Sequence, residues 1–378
     1  MKGRTTWFLL AALLAAAMLA LAACGGDDDD GGGDAGEPAA EGQMDSVTLQ
    51  SKWVPQAQFA GFYAALAKGY YEEEGLDVTI KPGGPDITPE QVVASGGAEF
   101  GIDWLPSLLA TRDKGGDLVN IAQIFARSGM TEVTWKDSGI TDVAGMRGKK
   151  VGVWCCGNEF ELFAALTKNG IDPADSSDVT IVNQPFDMNL FIQRQVDAAA
   201  AMTYNELAQV LEQKNPDTGE LYTLDDLNVI TMEDAGTAML EDGVFVRGDW
   251  IAEEANQDIA TRFLKASFRG WIFCRDNQEE CLQIVLDEGP TLGEGHQRWQ
   301  LNEINALIWP NETGIGIMDD AAFQRTADIA EQFKVISKPA TSDAYRTDLA
   351  EAALADLEED TKGADWEKEE VEVTEGGK

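Results

Sequence analysis

Short apolar, β-branched runs alternate with helical patterns from Ser46 to Asp249. These runs predict nine strands, at 47–50, 78–81, 99–102, 119–125, 149–154, 179–183, 197–202, 228–231 and 244–247. Beyond Asp249 the pattern predicts helices almost without interruption to about Leu357. Alternating strands and helices favour mostly parallel sheets covered by helices. We therefore expect a two-lobed α/β protein in which each lobe has a mostly parallel sheet and a cleft separates the lobes.

The predicted strand ends carry aromatic and polar side chains together. Ligands of such folds bind outside the carboxyl ends of strands. Aromatic rings there offer stacking faces for a planar ligand, and neighbouring amides or carboxylates can pair with ring nitrogens and amino groups. This pattern predicts the following ligand-binding residues: Trp53, Gln58, Phe59, Tyr63, Trp104, Trp154, Asn158, Glu159, Tyr204, Asn205 and Glu241.

Each of these residues also has a purely structural interpretation. A tryptophan at a strand end can pack in the core between the lobes. Asn158 can cap the helix that follows it, and Glu159 can complement the dipole of that helix. The coincidence of aromatic and polar residues at several strand ends favours the functional interpretation of the set.

Composition narrows the classes of function. The chain has 378 residues, with 67 acidic and 28 basic side chains, and a formal net charge of −39. Nucleic acid and anionic membrane surfaces are disfavoured as partners, because phosphate binding needs clustered Lys and Arg. The single histidine, His296, argues against a histidine metal centre and a serine-type triad. We predict no catalytic residue, no metal site and no cofactor.

The strand-end loops are poor in cations. Lys52 is the only basic residue within them, whereas Glu159, Glu206 and Glu241 are close by. A site for an anion is expected to offer Arg or Lys, or a helix N-terminus free of acids. The loops therefore favour a neutral or weakly cationic planar ligand over nitrate, sulfonate or phosphate. Backbone amides at 83–84 remain an alternative anion site.

Residues 1–23 have the pattern of a signal peptide. Lys2 and Arg4 precede an uncharged Ala/Leu-rich run, and Cys24 follows small residues as in a bacterial lipobox. We predict that Cys24 is lipidated and anchors the protein to the outer face of the cell membrane, with 24–45 as an acidic flexible tether. A short signal-anchor helix is the alternative. Residues 351–378, with eleven acids and three bases, predict an acidic, disordered tail.

Four further cysteines follow Cys24. Cys155 and Cys156 are adjacent, and adjacent cysteines rarely bridge each other. Cys274 and Cys281 would be too far apart on one continuous helix, but a corner between two helices near Asn277 makes a disulfide feasible. Two buried thiols are the alternative for this second pair.

Four segments resemble a family of solute-binding proteins. Residues 53–64 and 68–78 are similar to its opening signature, and 94–101 and 148–153 are similar to later blocks. The family includes the thiamine-pyrimidine-precursor binders and the nitrate, sulfonate and taurine binders of ABC importers. The resemblance implies a type II periplasmic-binding-protein fold that closes on its ligand by hinge motion. It places lobe 1 at 46–137 with a helical return at 239–350, and lobe 2 at 138–238.

The same family has an enzymatic relative, a pyrimidine synthase that consumes its own histidine and pyridoxal phosphate. Phe59 stands where the loop histidine of that enzyme is expected, and 240–243 replaces its cysteine-rich loop. Lys52 has no support as a Schiff-base lysine. These departures disfavour the synthase.

The resemblance implies a monomeric extracytoplasmic solute-binding lipoprotein whose partners are an ABC permease and its ATPase. The strand-end residues favour a planar nitrogen heterocycle, with a thiamine pyrimidine of the hydroxymethylpyrimidine type as the first candidate. A flavin is the alternative, followed by nitrate, sulfonate or taurine. A lipoprotein that senses the ligand without transporting it remains a third class.

Overall fold

The computed structural model describes residues 44–378, which contain two five-stranded sheets. The first sheet consists of β1 Asp45–Gln50, β2 Leu76–Lys81, β3 Phe100–Trp104, β4 Leu118–Gln123 and β10 Asp242–Arg247. The second consists of β5 Met130–Trp135, β6 Lys150–Val153, β7 Thr180–Asn183, β8 Ala198–Met202 and β9 Leu227–Thr231. Their spatial orders are β2-β1-β3-β10-β4 and β7-β6-β8-β5-β9.

Helices cover these sheets and make up most of the chain after β10. The α-helices up to β10 are α1 Ala60–Ala67, α2 Tyr70–Glu73, α3 Pro89–Ala94, α4 Leu105–Asp113, α5 Phe160–Lys168, α6 Asn189–Ile192, α7 Glu206–Leu211 and α8 Met232–Ala235. Those that follow are α9 Gly248–Ile251, α10 Glu254–Asp276, α11 Gln278–Glu288, α12 Glu294–Ile308, α13 Asp320–Gln332 and α14 Asp348–Ala355. Short 3₁₀ helices lie at Ala57–Phe59, Lys136–Ser138, Val143–Met146, Leu224–Asp226, Ser342–Ala344 and Glu375–Gly377.

The two sheets share one plan. In the first, β1 pairs in parallel with β2 and β3, and β10 runs antiparallel between β3 and β4. In the second, β6 pairs in parallel with β7 and β8, and β5 runs antiparallel between β8 and β9. β5 and β10 are the strands by which the chain enters the other sheet. The two-sheet α/β fold is confirmed: in each sheet four strands run in the same direction, and one strand, β10 or β5, runs against them.

Strand β5 is missing from the strands that the sequence predicts. All six of its residues, Met130–Trp135, are buried, so it lacks the alternation that marks a half-exposed strand. The polar Glu132 at its centre further obscured it. β5 belongs to the second sheet, although the predicted first lobe extended to residue 137. Asp45, assigned to the predicted tether, opens β1.

The main core forms where α1 and α10 cross. A Cβ placed on Gly61 would lie 2.2 Å from the Trp271 ring, and one on Gly270 would lie 1.9 Å from the Gly61 carbonyl oxygen. Only glycine allows this approach. Beside the crossing, the rings of Phe100 and Phe263 stack with centroids 3.9 Å apart, which ties β3 to α10. This packing fixes the first sheet, whose strand ends carry half of the candidate site.

The acidic C-terminal segment packs on the body of the protein, and the prediction of a disordered tail over 351–378 is wrong. It begins inside α14, and Trp366 packs against the main core. The Asn302 side chain exchanges two hydrogen bonds with the Glu369 backbone, at 2.8 and 3.0 Å. Farther on, the Gly376 amide donates to the Glu212 carbonyl oxygen at 3.0 Å. The acidic composition of the segment indicated disorder, but packing of Trp366 and the backbone hydrogen bonds of Glu369 and Gly376 hold it against the body of the protein.

Cys274 and Cys281 are joined by a disulfide across the corner between α10 and α11. Both cysteines are completely buried. None of the helices within residues 44–378 has the length and apolar character that a membrane span requires. The predicted signal peptide 1–23, Cys24 and nearly all of the tether lie outside the described residues, so these assignments stay predictions.

Candidate ligand-binding site

Strand ends of both sheets converge on one cavity, which we call the aromatic cavity. It holds about 390 Å³ of empty space, including its opening to solvent. Its aromatic walls follow or end β1, β3, β6, β7 and β8, and they are Trp53, Trp104, Trp154, Phe186 and Tyr204. The other lining residues are Lys52, Gln56, Gln58, Asn158, Met202, Asn205 and Glu206. A ring that enters this cavity is therefore enclosed by aromatic residues from both sheets.

A second and larger cavity, which we call the polar cavity, adjoins the first. Its empty space is about 1520 Å³, including the part open to solvent. It shares Lys52, Trp53, Asn158 and Phe186 with the aromatic cavity. Hydroxyl, amide and carboxyl side chains dominate the rest of its wall, among them Asp86, Thr88, Glu90, Gln91, Asp103, Ser107, Thr111, Glu159, Asn183 and Gln184. The two cavities together can receive a ring system with a polar arm.

Most of the predicted site residues are brought together in these cavities. Seven line the aromatic cavity: Trp53, Gln58, Trp104, Trp154, Asn158, Tyr204 and Asn205. Glu159 lines the polar cavity. Three predicted residues line neither cavity: Phe59, Tyr63 and Glu241. Phe59 and Tyr63 are buried in the main core, because the loop after β1 turns inward and begins α1.

Glu241 holds the crossover between the sheets instead of facing the cavities. One of its carboxylate oxygens accepts hydrogen bonds from the Gly129 and Met130 amides, at 2.7 and 3.1 Å. The Ser128 hydroxyl lies 2.8 Å from Glu241 and 2.9 Å from Glu161. Burial raises the pKa of Glu241 to about 8, and burial together with the Glu241 charge raises that of Glu161. This carboxyl pair fastens the two crossing segments to each other.

Lys52 lies at the boundary of the two cavities with its side chain 12% exposed, and its charge is already paired. Its ammonium group forms an ion pair with Asp103 and lies 4.8 Å from the centroid of the Trp104 ring. Burial acts to lower the pKa of Lys52, but the Asp103 carboxylate outweighs it and the pKa is raised. Lys52 is therefore a protonated, committed cation, suited neither to imine formation nor to holding an anionic ligand.

Carboxyl groups around the cavities are held partly protonated near neutral pH. Burial and the neighbouring Asp103 charge raise the pKa of Glu90 to about 8. Burial raises the pKa of Asp242 to about 7 against the opposing effect of Lys52, and burial raises that of Glu206 to about 7. Protonated carboxyls can donate as well as accept hydrogen bonds. The walls therefore suit a neutral ligand with both donors and acceptors.

The amides beside the aromatic walls are fixed before any ligand enters. Gln58 donates to an Asp242 oxygen at 2.8 Å and accepts from the Gln56 side chain at 2.7 Å. Asn205 donates to Glu206 at 2.9 Å. The buried indole N–H of Trp154, by contrast, has no acceptor within the described part of the chain. That donor is available to a carbonyl oxygen or ring nitrogen of a ligand.

Several lining residues were not among the predicted ones. Phe186 follows β7, so the strand-end rule applied to this loop would have found it. Glu206 directly follows the predicted Asn205 and was visible in the same way. Gln56 lies in the predicted first loop, but no pattern distinguished it from its neighbours. Within residues 44–378, no cluster of His, Cys, Asp and Glu side chains is arranged to hold a metal ion.

A sequence profile of the family described as "NMT1/THI5 like" matches residues 56–281. The chain belongs to this family. It is 25% identical over 316 residues to the riboflavin-binding protein RibY of Chloroflexus aurantiacus, covering 81% of this chain and 86% of the relative. It is 23% identical over 247 residues to the formylaminopyrimidine-binding protein of Halalkalibacterium halodurans, covering 64% of this chain and 70% of the relative.

The chain is also similar in sequence to part of an enzyme, and similar in fold to solved structures. A 4-amino-5-hydroxymethyl-2-methylpyrimidine phosphate synthase of Aspergillus parasiticus is 32% identical over 111 residues, 29% of this chain and 32% of the enzyme. The alkanesulfonate-binding protein SsuA of Xanthomonas axonopodis pv. citri, solved with MOPS, is 16% identical with a TM-score of 0.58. That match covers 83% of this chain and all of the other. The fold is that of the periplasmic binding proteins.

Proposed function

We propose that this protein captures a planar nitrogen heterocycle outside the cytoplasm and delivers it to an ABC importer. The observation that carries the proposal is the aromatic cavity, where ring walls from both sheets surround a space whose one lining cation, Lys52, is paired with Asp103. A planar ligand in this space can stack on the aromatic side chains, whereas an anion finds no unpaired cation to bind among the lining residues that the structure describes. The relatives that bind a flavin and a formylaminopyrimidine support the same class of ligand.

Between the two heterocycles, the polar cavity favours the flavin. A flavin carries a hydroxylated arm on its ring, and the hydroxyl and amide groups beside Trp53 and Asn158 would receive such an arm. Hydroxymethylpyrimidine would fill the aromatic cavity and leave the larger space to water. A flavin is therefore the first candidate ligand. The thiamine pyrimidine, which the sequence alone favours, becomes the second, and nitrate, sulfonate or taurine is the third.

Capture would occur by lobe closure without covalent chemistry. The segments before β5 and β10 would act as the hinge, fastened to each other by Glu161 and Glu241. A non-enzymatic role is supported by Lys52, which is committed to Asp103, and by Phe59, which is fully buried in the core at the position expected for the synthase histidine. We further propose that lipidated Cys24 attaches the protein to the outer face of the cell membrane, with an ABC permease and its ATPase as partners.

A binding screen tests the function. The protein lacking residues 1–23 would be titrated with riboflavin, hydroxymethylpyrimidine, taurine and nitrate, by calorimetry and by thermal unfolding. A ligand at one hundred times its Kd adds about 2.7 kcal/mol to the free energy of unfolding. We expect riboflavin to give the largest stabilisation. Stabilisation by taurine or nitrate alone would contradict the proposal.

A further inference from the structure

The described chain has two disulfides in opposite environments. Cys274–Cys281 is completely buried in the core. Cys155 and Cys156, contrary to the expectation for adjacent cysteines, are also joined by a disulfide. Both members of this second pair are exposed and line the polar cavity. A small solute that enters the cleft can therefore reach the second disulfide, whereas the first is shielded.

The adjacent pair lies inside the segment that forms one wall of the site. Trp154 precedes it and Asn158 follows it, and both line the aromatic cavity. The Asn158 side chain donates to the Cys155 carbonyl oxygen at 3.0 Å. The Gly157 carbonyl oxygen accepts from the Ser107 hydroxyl on α4 at 3.3 Å, which connects the segment to the first sheet's side of the cleft. A change in the conformation of this segment would therefore affect the cavity wall that it forms and also its contact with α4 on the other side of the cleft.

The ring closed by the disulfide contains a residue in an unfavourable backbone conformation. Cys156 has φ of 71°, in the left-handed region that residues with a Cβ seldom adopt. Gly157 follows with φ of 114°. When the ring opens, Cys156 is free to leave the left-handed region. Because Asn158 is only two residues away, its amide would then leave the position it holds at both cavities.

We propose that the Cys155–Cys156 disulfide is a redox-sensitive element of the ligand site: the closed ring holds 154–159 in the binding geometry, and its reduction by a small thiol weakens binding. The inference rests on the proposed function for its ligand. In the exchange, a thiolate of the reductant attacks one sulfur and breaks the Cys155–Cys156 bond. A second thiol releases the resulting mixed disulfide. The protein gains two thiols, and the reductant leaves as its own disulfide.

The first test compares oxidised and reduced wild-type protein. Alkylation and mass spectrometry identify the dithiothreitol concentration that opens Cys155–Cys156 while the buried Cys274–Cys281 stays intact. At that concentration we expect the Kd for riboflavin, or for hydroxymethylpyrimidine if that is the heterocycle bound, to rise at least tenfold and to recover on reoxidation. An unchanged Kd, or free thiols at 155 and 156 in protein purified under oxidising conditions, would overturn the proposal.

A double variant, Cys155→Ser with Cys156→Ser, supplies the matched control. We expect it to bind as weakly as the reduced wild type and to be insensitive to dithiothreitol. Wild-type affinity in this variant would contradict the proposal. If the oxidised wild type binds neither heterocycle, the proposed function fails, and the redox inference is judged on tryptophan emission without ligand. Selective reduction should then change the emission of the wild type but not of Trp154→Phe, and no change in the wild type would overturn it.

Discussion

The aromatic cavity and the polar cavity share four residues but differ in how their charges are compensated. The aromatic cavity has ring walls from both sheets and a single carboxyl, that of Glu206. At the boundary with the polar cavity, the Lys52 ammonium is enclosed with Asp103, Glu90 and Asp242, so that one cation faces three acids. Stacking affinity depends little on those charges, whereas the boundary with the polar cavity is destabilised when a buried charge loses its partner. The two cavities should therefore respond differently to substitution.

The largest effect is expected at the boundary of the cavities, from Lys52→Met. Without the ammonium, the buried Asp103 carboxylate has no compensating cation, so we expect a loss of about 3–5 kcal/mol in the free energy of unfolding. Urea unfolding at pH 7 measures it. The control is Arg194→Met, which removes a cation from an exposed ion pair with Asp137 and should cost below about 1 kcal/mol.

A double variant sharpens this prediction. Lys52→Met combined with Asp103→Leu removes both charges, so much of the lost stability should return. Equal losses in the single and double variants would show that packing around Trp104, and not charge compensation, controls this wall. That result would also weaken the argument that the aromatic cavity offers an anion little attraction, since that argument rests on the pairing of Lys52.

The next effect concerns pH and the one carboxyl of the aromatic cavity. The pKa of buried Glu206 is raised from 4.5 to about 7, so between these values the folded state binds more protons than the unfolded state. Stability should therefore fall as pH rises through this window, by about 3 kcal/mol in total. Glu90 and Asp242, with pKa values raised to about 8 and about 7, act in the same direction.

Glu206→Gln isolates the contribution of that single group. The variant should show a flatter decline in the free energy of unfolding between pH 5 and pH 7.5, measured by urea titration. Glu375→Gln, at an exposed ion pair with Lys214, should leave the wild-type slope unchanged. A wild-type stability that rises across this pH range would contradict the assignment of Glu206 as a raised-pKa group.

A smaller effect is expected from Trp154→Ala, on affinity. Loss of the ring and of its free indole N–H should raise the Kd for the heterocycle about 100-fold. Trp154 is 4% exposed, so the variant will also lose stability. Trp135→Ala is the control, because Trp135 is equally buried but stacks on Phe191 away from the cleft. It should lose stability while the folded fraction keeps its affinity; equal Kd changes would contradict the ligand role of Trp154.

Alternation of strands and helices predicts most of this fold, because half-exposed or β-branched strands carry a recognisable pattern. It fails at β5, where both faces are buried and Glu132 interrupts the apolar run. It also fails at the C-terminal segment, where repulsive charge suggested disorder. There, Trp366 packs against the main core and Asn302 on α12 binds the Glu369 backbone, and these contacts between distant parts of the chain leave no local sequence pattern.

The candidate site was predictable to the extent that it follows strand ends. Trp53, Trp104, Trp154 and Tyr204 all meet in one cavity, because the carboxyl ends of the strands in both sheets face the same cleft. The position of a residue at a strand end does not determine the direction in which its side chain points, however. Glu241 ends the crossover into β10, and its side chain turns toward the backbone amides of the other crossover, which only the three-dimensional path of the chain determines.

The smallest predicted effect tests the residue that belongs to both cavities. Asn158→Ala removes an amide at their shared wall and its hydrogen bond to the Cys155 carbonyl oxygen, so the Kd should rise about tenfold with little change in stability. Asn215→Ala, in an exposed turn away from the cleft, is the matched control. Calorimetry with riboflavin and with hydroxymethylpyrimidine separates two outcomes. A larger loss for riboflavin indicates that the arm of the ligand extends into the polar cavity past Asn158, whereas equal losses indicate that Asn158 contacts the ring and that the polar cavity contributes nothing to affinity.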